Sequence, residues 1–145
     1  NIMGAHYRTC ATAQTKEKKT KLPTCAKEGE EQATLFHWAA MQQSEYPELA
    51  LLFHIPNGGK RGKAEAARFK MEGVKAGVPD LFLPVAVGNR HGLFIEMKRV
   101  DGGKVSREQT AWGEQLREQG YAWVVCRGWE EAAAMLKRYL DGLWE

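Results

Sequence analysis

Three charged residues stand where strand geometry would bring them together. Asp80 follows Pro79 at the start of an apolar run, and Glu96 and Lys98 lie two apart in Phe94-Ile95-Glu96-Met97-Lys98. Side chains alternate across a strand, so Glu96 and Lys98 share one face while Ile95 and Met97 share the other. If the strand entered by Asp80 pairs with the strand of Glu96, the two carboxylates meet. Hard divalent cations such as Mg2+ favour a few carboxylate oxygens together with waters and phosphate, and two carboxylates on neighbouring strands supply that arrangement. Such an ion lowers the pKa of its water and stabilises charge on phosphoryl oxygens. Lys98 would orient or help deprotonate the attacking water and offset charge building on the phosphorus centre. Taken singly, Glu96 and Lys98 also read as a solvent-facing pair on an edge strand, and Asp80 as a turn residue. Two charges inside an otherwise apolar strand favour the site, because burying unpaired charge is costly.

The elements that must position these residues follow from periodicity. Leu35, Trp38, Ala39 and Gln42 recur at helical spacing, which predicts a helix over 28–43, ended by Ser44 to Pro47. Leu49 to Ile55 reads as a short strand, followed by a turn at Pro56-Asn57-Gly58-Gly59. A basic helical pattern occupies 62–75. Leu81 to Val87 and Leu93 to Met97 flank Gly88-Asn89-Arg90-His91-Gly92, which suits a hairpin of antiparallel strands. Ser106 opens a helix to about Gln119, Tyr121 to Cys126 reads as a buried strand, and Trp129 to Leu140 as a closing helix. The order α-β-α-β-β-α-β-α implies an α/β fold, a mixed β-sheet flanked by helices.

At 145 residues the chain is the size of one domain. Residues 1–27 are polar, lack apolar periodicity and hold six cations against Glu17 alone, so they read as a basic tail, with a single domain over 28–145. The whole chain carries +3, so the remainder is close to −2, with 15 Lys and Arg against 17 Asp and Glu. Lys60, Arg61, Lys63, Arg68, Lys70 and Lys75 form a second basic stretch. Such runs suit a polyanion partner, since each neutralised phosphate releases counterions, although a solvated face explains them equally well. Cys10, Cys25 and Cys126 are odd in number and lack zinc spacing, which fits a reducing cytoplasm. No apolar run approaches the ~20 residues that span a bilayer, so no membrane partner is expected.

Pro79-Asp80, followed after fifteen residues by Glu96-Met97-Lys98, resembles the PD-(D/E)xK signature of restriction-endonuclease-like nucleases. With Gly77-Val78-Pro79-Asp80-Leu81, Pro56-Asn57-Gly58-Gly59, and Ser106, Gln109 and Trp112 downstream, residues 28 to 135 are similar to the VRR-NUC family, particularly its small stand-alone phage and bacterial members. The resemblance implies a restriction-endonuclease-like fold and a Mg2+- or Mn2+-dependent nuclease. It also implies a homodimer acting on branched DNA such as four-way junctions, in a bacterial or phage-infected cell.

It further implies a glutamate on the first helix. Glu28, four residues before Gln32, matches the family's Glu-x-x-x-Gln pattern on one helix face, with Glu30 and Glu31 as close competitors. Asp80, Glu96 and Glu28 would then be metal ligands, and Lys98, Gln32 and Gln109 would complete the catalytic set. Gln109 also reads as the third helical residue of a capping box opened by Ser106. Asn57, Lys60, Arg61, Lys63, Arg68, Arg99 and Lys104 are the expected DNA contacts. Leu143 and Trp144 at the C-terminus are candidates for a dimer interface. The competing reading is a DNA-binding or partner-recruiting module that keeps the fold without turnover.

Overall fold

The computed structural model describes residues 27–57 and 62–145. Helix α1 is Glu28–Met41, and a 3-10 helix, Pro47–Leu51, leads into strand β1, Phe53–His54. Then come α2, Lys63–Met71; β2, Leu81–Leu83; β3, Leu93–Lys98; α3, Arg107–Glu118; β4, Ala122–Arg127; and α4, Trp129–Leu140. The strands lie in the order β1-β2-β3-β4. Strand β2 is antiparallel to both β1 and β3, whereas β4 runs parallel to β3. A parallel neighbour needs a crossover, and α3 supplies it. The result is the mixed α/β architecture of restriction-endonuclease-like domains.

One face of the sheet carries the core. Leu81, Leu83, Leu93, Ile95, Met97, Ala122 and Cys126 meet Leu35 and Ala39 of α1 and Ala132, Leu136 and Tyr139 of α4. Burial there pushes the Cys126 thiol up to about 12, so it is an inert apolar filler rather than a nucleophile. On the opposite face α3 crosses over Trp123, and Gly113 makes the approach possible. A Cβ at Gly113 would lie 2.2 Å from the indole of Trp123. Gly113→Ala should therefore destabilise the protein by roughly 1–3 kcal/mol through overpacking, despite alanine's better helix propensity. An unchanged urea midpoint in that variant would show that α3 is not seated on Trp123.

Two expectations need correction. The run Leu49 to Ile55 does not form one strand. Pro47, with its φ already fixed near the helical value, starts a 3-10 turn, and only Phe53 and His54 reach the ladder. Strand β2 stops at Leu83 rather than Val87, because Pro84 has no N–H to donate to a ladder. Beyond it Tyr139 donates its hydroxyl proton to the Val85 carbonyl at 2.6 Å, and a Val87–Arg90 bridge closes the hairpin. The two residues singled out as interface candidates differ in setting: Trp144 is half-buried, edge-on to Tyr139 of the same chain at 6.0 Å, while Leu143 is exposed.

Of the expected tail, only Lys27 falls among the described residues, where it precedes α1 as its N-cap. Among the described residues, no helix is long and apolar enough to cross a membrane.

Candidate active site

Asp80 is fixed from three sides. Its backbone carbonyl accepts from the Ile55 N–H at 2.7 Å and from the His54 Nδ1–H at 2.8 Å, both contributed by the β1 end. Its carboxylate Oδ2 accepts from the Met97 N–H of β3 at 2.7 Å. Asp80 thereby ties three strands together at the point where Glu96 and Lys98 emerge. The segment leading to it is locked onto α3. Gly77 has φ +88°, and a Cβ there would stand 2.6 Å from the Glu108 backbone, so only glycine allows this contact. Trp112 donates its indole N–H to the Ala76 carbonyl at 3.1 Å, and Asn57 donates its side-chain N–H to the Val78 carbonyl at 2.5 Å.

Glu96 and Lys98 share the face opposite Ile95 and Met97, and both are buried, with relative exposures of 1% and 7%. They are therefore not a solvent-facing pair. The Lys98 ammonium lies 3.2 Å from Glu96 Oε1, and the same oxygen accepts from Gln109 Nε2 at 2.6 Å. Gln109 performs two tasks with one amide: its Oε1 accepts from the Ser106 N–H at 2.9 Å, and its N–H2 reaches Glu96. Its own backbone N–H donates to Ser106 Oγ at 3.1 Å, which completes the capping box. The capping and site readings of Gln109 are thus both present in the geometry.

The second oxygen of Glu96, Oε2, is buried with no hydrogen-bond partner. Burial, and then the neighbouring charge of Asp80, push the Glu96 carboxyl up to about 8, against the opposing pull of Lys98. Such a group has a strong preference for gaining a proton or a cation.

The three acids that open α1 separate by their partners. Glu30 reaches back to accept from the Lys27 N–H at 3.0 Å. Glu31 is buried and accepts from the Trp129 N–H at 2.8 Å, closing the N-terminus of α4. Glu28 is raised from the ordinary carboxylate range by burial, feels Lys98 and Arg99 as attractive charges and Asp80 as a repulsive one. With Gly29, Gln32, His54, Asn57 and Asp80, it lines a cleft of about 230 Å³.

Among the described residues, no three His, Cys, Asp or Glu side chains converge into a ready metal cage. The fit to a cation is instead that of the pair Asp80 and Glu96. A Mg2+-like ion characteristically uses one or two carboxylates plus waters and phosphate, and a buried, unpartnered carboxylate oxygen beside a second carboxylate suits it.

Of the expected DNA contacts, Arg99 directly follows Lys98 and Lys104 lies beyond the Gly102–Gly103 turn, both exposed. Lys63 and Arg68 are exposed on α2, a helix with no buried residue, and Arg68 pairs with Glu72 at 3.6 Å. Asn57 is on the cleft wall, with its amide nitrogen already engaged. Lys60 and Arg61 lie outside the described residues.

A model of the VRR-NUC domain family matches residues 17–130, starting inside the segment expected to be a tail. A solved structure described as a VRR_NUC domain protein is 31% identical, with a TM-score of 0.70, and the match covers 81% of this chain and 91% of that one. No curated protein matches.

Proposed function

We propose, since the chain belongs to the VRR-NUC domain family of nuclease-type DNA-processing domains, that it is a Mg2+- or Mn2+-dependent endonuclease hydrolysing DNA phosphodiester bonds. The observation that carries this reading is the buried, unpartnered Oε2 of Glu96 beside Asp80, with Lys98 on the same face. Asp80 and Glu96 would hold the cation, with Glu28 contributing from the cleft wall. When bound, that cation would supply an activated water at neutral pH and stabilise charge on the phosphoryl oxygens.

This chain's own residues would do the rest. Gln109 fixes one Glu96 oxygen and leaves the other free to bind. The Lys98 ammonium, held beside Glu96, orients the attacking water and offsets the charge that grows on the phosphoryl group. Gln32, one turn after Glu28, hydrogen-bonds water or phosphate at the cleft mouth. Lys63, Arg68, Arg99 and Lys104, with Lys60, Arg61 and the basic N-terminal segment, contact phosphates rather than base edges, because they offer cations without a patterned set of amides.

Branched DNA is the preferred substrate class in this reading, and a twofold homodimer its natural agent. One site cuts one strand, so symmetric incision of a four-way junction needs two sites related by a twofold axis. The protein would work in the cytoplasm of a bacterial or phage-infected cell.

The test is cleavage of end-labelled linear, nicked, flap and four-way-junction DNAs with Mg2+, Mn2+ or EDTA, with Asp80→Ala as control. Cation-dependent incision is expected, paired on the junction and absent from the control. Lys98→Ala should keep Mn2+ affinity but lose turnover by on the order of 10²–10³-fold, the size expected when one transition-state charge contact is removed. DNA binding without incision in any cation would identify a non-catalytic DNA-binding or recruiting module instead.

A further inference from the structure

Arg127 ends β4 directly beside Lys98, its partner in the parallel β3–β4 register, and the Gly128 N–H donates to the Lys98 carbonyl at 2.9 Å. Arg127 does not line the cleft of Glu28 and Asp80; it borders a separate one with Glu31, Val100 and Glu131. Its guanidinium donates from Nη1 to the Gly102 carbonyl at 2.5 Å and to the Gly103 carbonyl at 3.1 Å. Among the described residues it makes no ion pair. Its backbone N–H is in turn held by Glu131 Oε2 at 3.0 Å, at the first turn of α4.

The turn it grips is tight. Gly102 and Gly103 have φ of +110° and +80°, which side-chain-bearing residues rarely adopt. The turn also lies along the lysine stem: a Cβ at Gly103 would stand 3.3 Å from Lys98 Cδ, 3.7 Å from Cβ and 3.9 Å from Cγ. A lysine has four rotatable carbons and loses much rotamer freedom when its ammonium is held in one place. A backbone wall along the stem removes the competing rotamers beforehand.

We propose that Arg127 is a positioning residue: it straps the Gly102–Gly103 turn over the stem of Lys98 and so keeps the ammonium against Glu96. This rests on the reading of Lys98 as a turnover residue given above. A planar guanidinium suits the task because its donors are fixed in a fork, whereas Arg127→Lys would put a compact ammonium with rotating donors on a flexible stem.

The experiment compares wild type with Arg127→Met, Arg127→Lys, Gly103→Ala and Lys98→Ala. Reductive methylation followed by mass spectrometry reads the accessibility of the Lys98 amine, with exposed Lys63 as internal reference. In Arg127→Met, Lys98 labelling should quicken about tenfold and kcat should fall about tenfold at unchanged KM, the size of one lost charge-assisted hydrogen bond. Arg127→Lys should restore part of both, and Gly103→Ala, which crowds the stem directly, should lower kcat with Arg127 intact.

Unchanged Lys98 labelling in Arg127→Met would overturn the strap. So would a raised KM with intact kcat, which would make Arg127 a DNA contact. The Lys98→Ala arm separates the two readings. Loss of turnover there but not in Arg127→Met overturns the role of Arg127; loss in neither overturns the role of Lys98.

Discussion

Replacing Glu96 by glutamine is expected to remove cleavage, by roughly 10³-fold or more, and to leave the fold intact. A neutral amide keeps the size of the side chain and can still accept from Gln109, but it lacks the charge that holds a hard cation. Stability should survive because the ionised carboxylate is itself disfavoured where it stands: burial and Asp80 outweigh the attraction of Lys98. The amide also brings an N–H2 donor beside the Asp80 carboxylate, where the glutamate oxygen has no partner. Titration calorimetry with Mn2+ should show binding lost or weakened about 100-fold or more, as expected when a ligand charge is deleted. Undiminished Mn2+ affinity would remove Glu96 from the ligand set, whatever happened to cleavage.

The parts of this site that were readable in the sequence are those governed by local rules. Alternation along Phe94 to Lys98 put Glu96 and Lys98 on one face, and the glycine-rich segment between two apolar runs brought Asp80 to the neighbouring strand. What stayed open was decided by partners far along the chain. Glu28, Glu30 and Glu31 look alike as acids in a first helical turn. They separate only because Lys27 occupies Glu30 and because the start of α4, 98 residues away, occupies Glu31. Gln109 could be read as a cap or as a site residue, since nothing local says that one amide can satisfy both sides. Leu49 to Ile55 failed as a strand because a short apolar run has no periodicity to tell strand from helix, and Pro47 was the signal that outweighed it. Arg127 gave no sequence signal, because the two carbonyls it holds lie 25 and 24 residues earlier.

The same buried carboxylate should make stability depend on pH in a direction that a cation reverses. The ordinary value for Glu96 is 4.5 and the folded value about 8, so between these limits the unfolded chain has lost its proton while the folded one keeps it. The folded state then binds more protons, and stability falls as pH rises, by about 1.4 kcal/mol per unit for one such group. The contribution is whole below about pH 4.5 and is lost as pH climbs through about 8, in total on the order of a few kcal/mol. Other carboxylates titrate over the lower part of this window, so the quantity to measure is a difference. Urea unfolding in EDTA at pH 5.5, 7 and 8.5 should show wild type losing ground steadily to Glu96→Gln, which has no proton to lose. With saturating Mn2+ the order should invert, because the ion competes with the proton for the same oxygens and binds more tightly as pH rises. A wild-type slope that matches Glu96→Gln in EDTA would mean that the carboxylate is ionised and content without a cation. The case for Asp80 and Glu96 as a metal-binding pair would lose its main physical support.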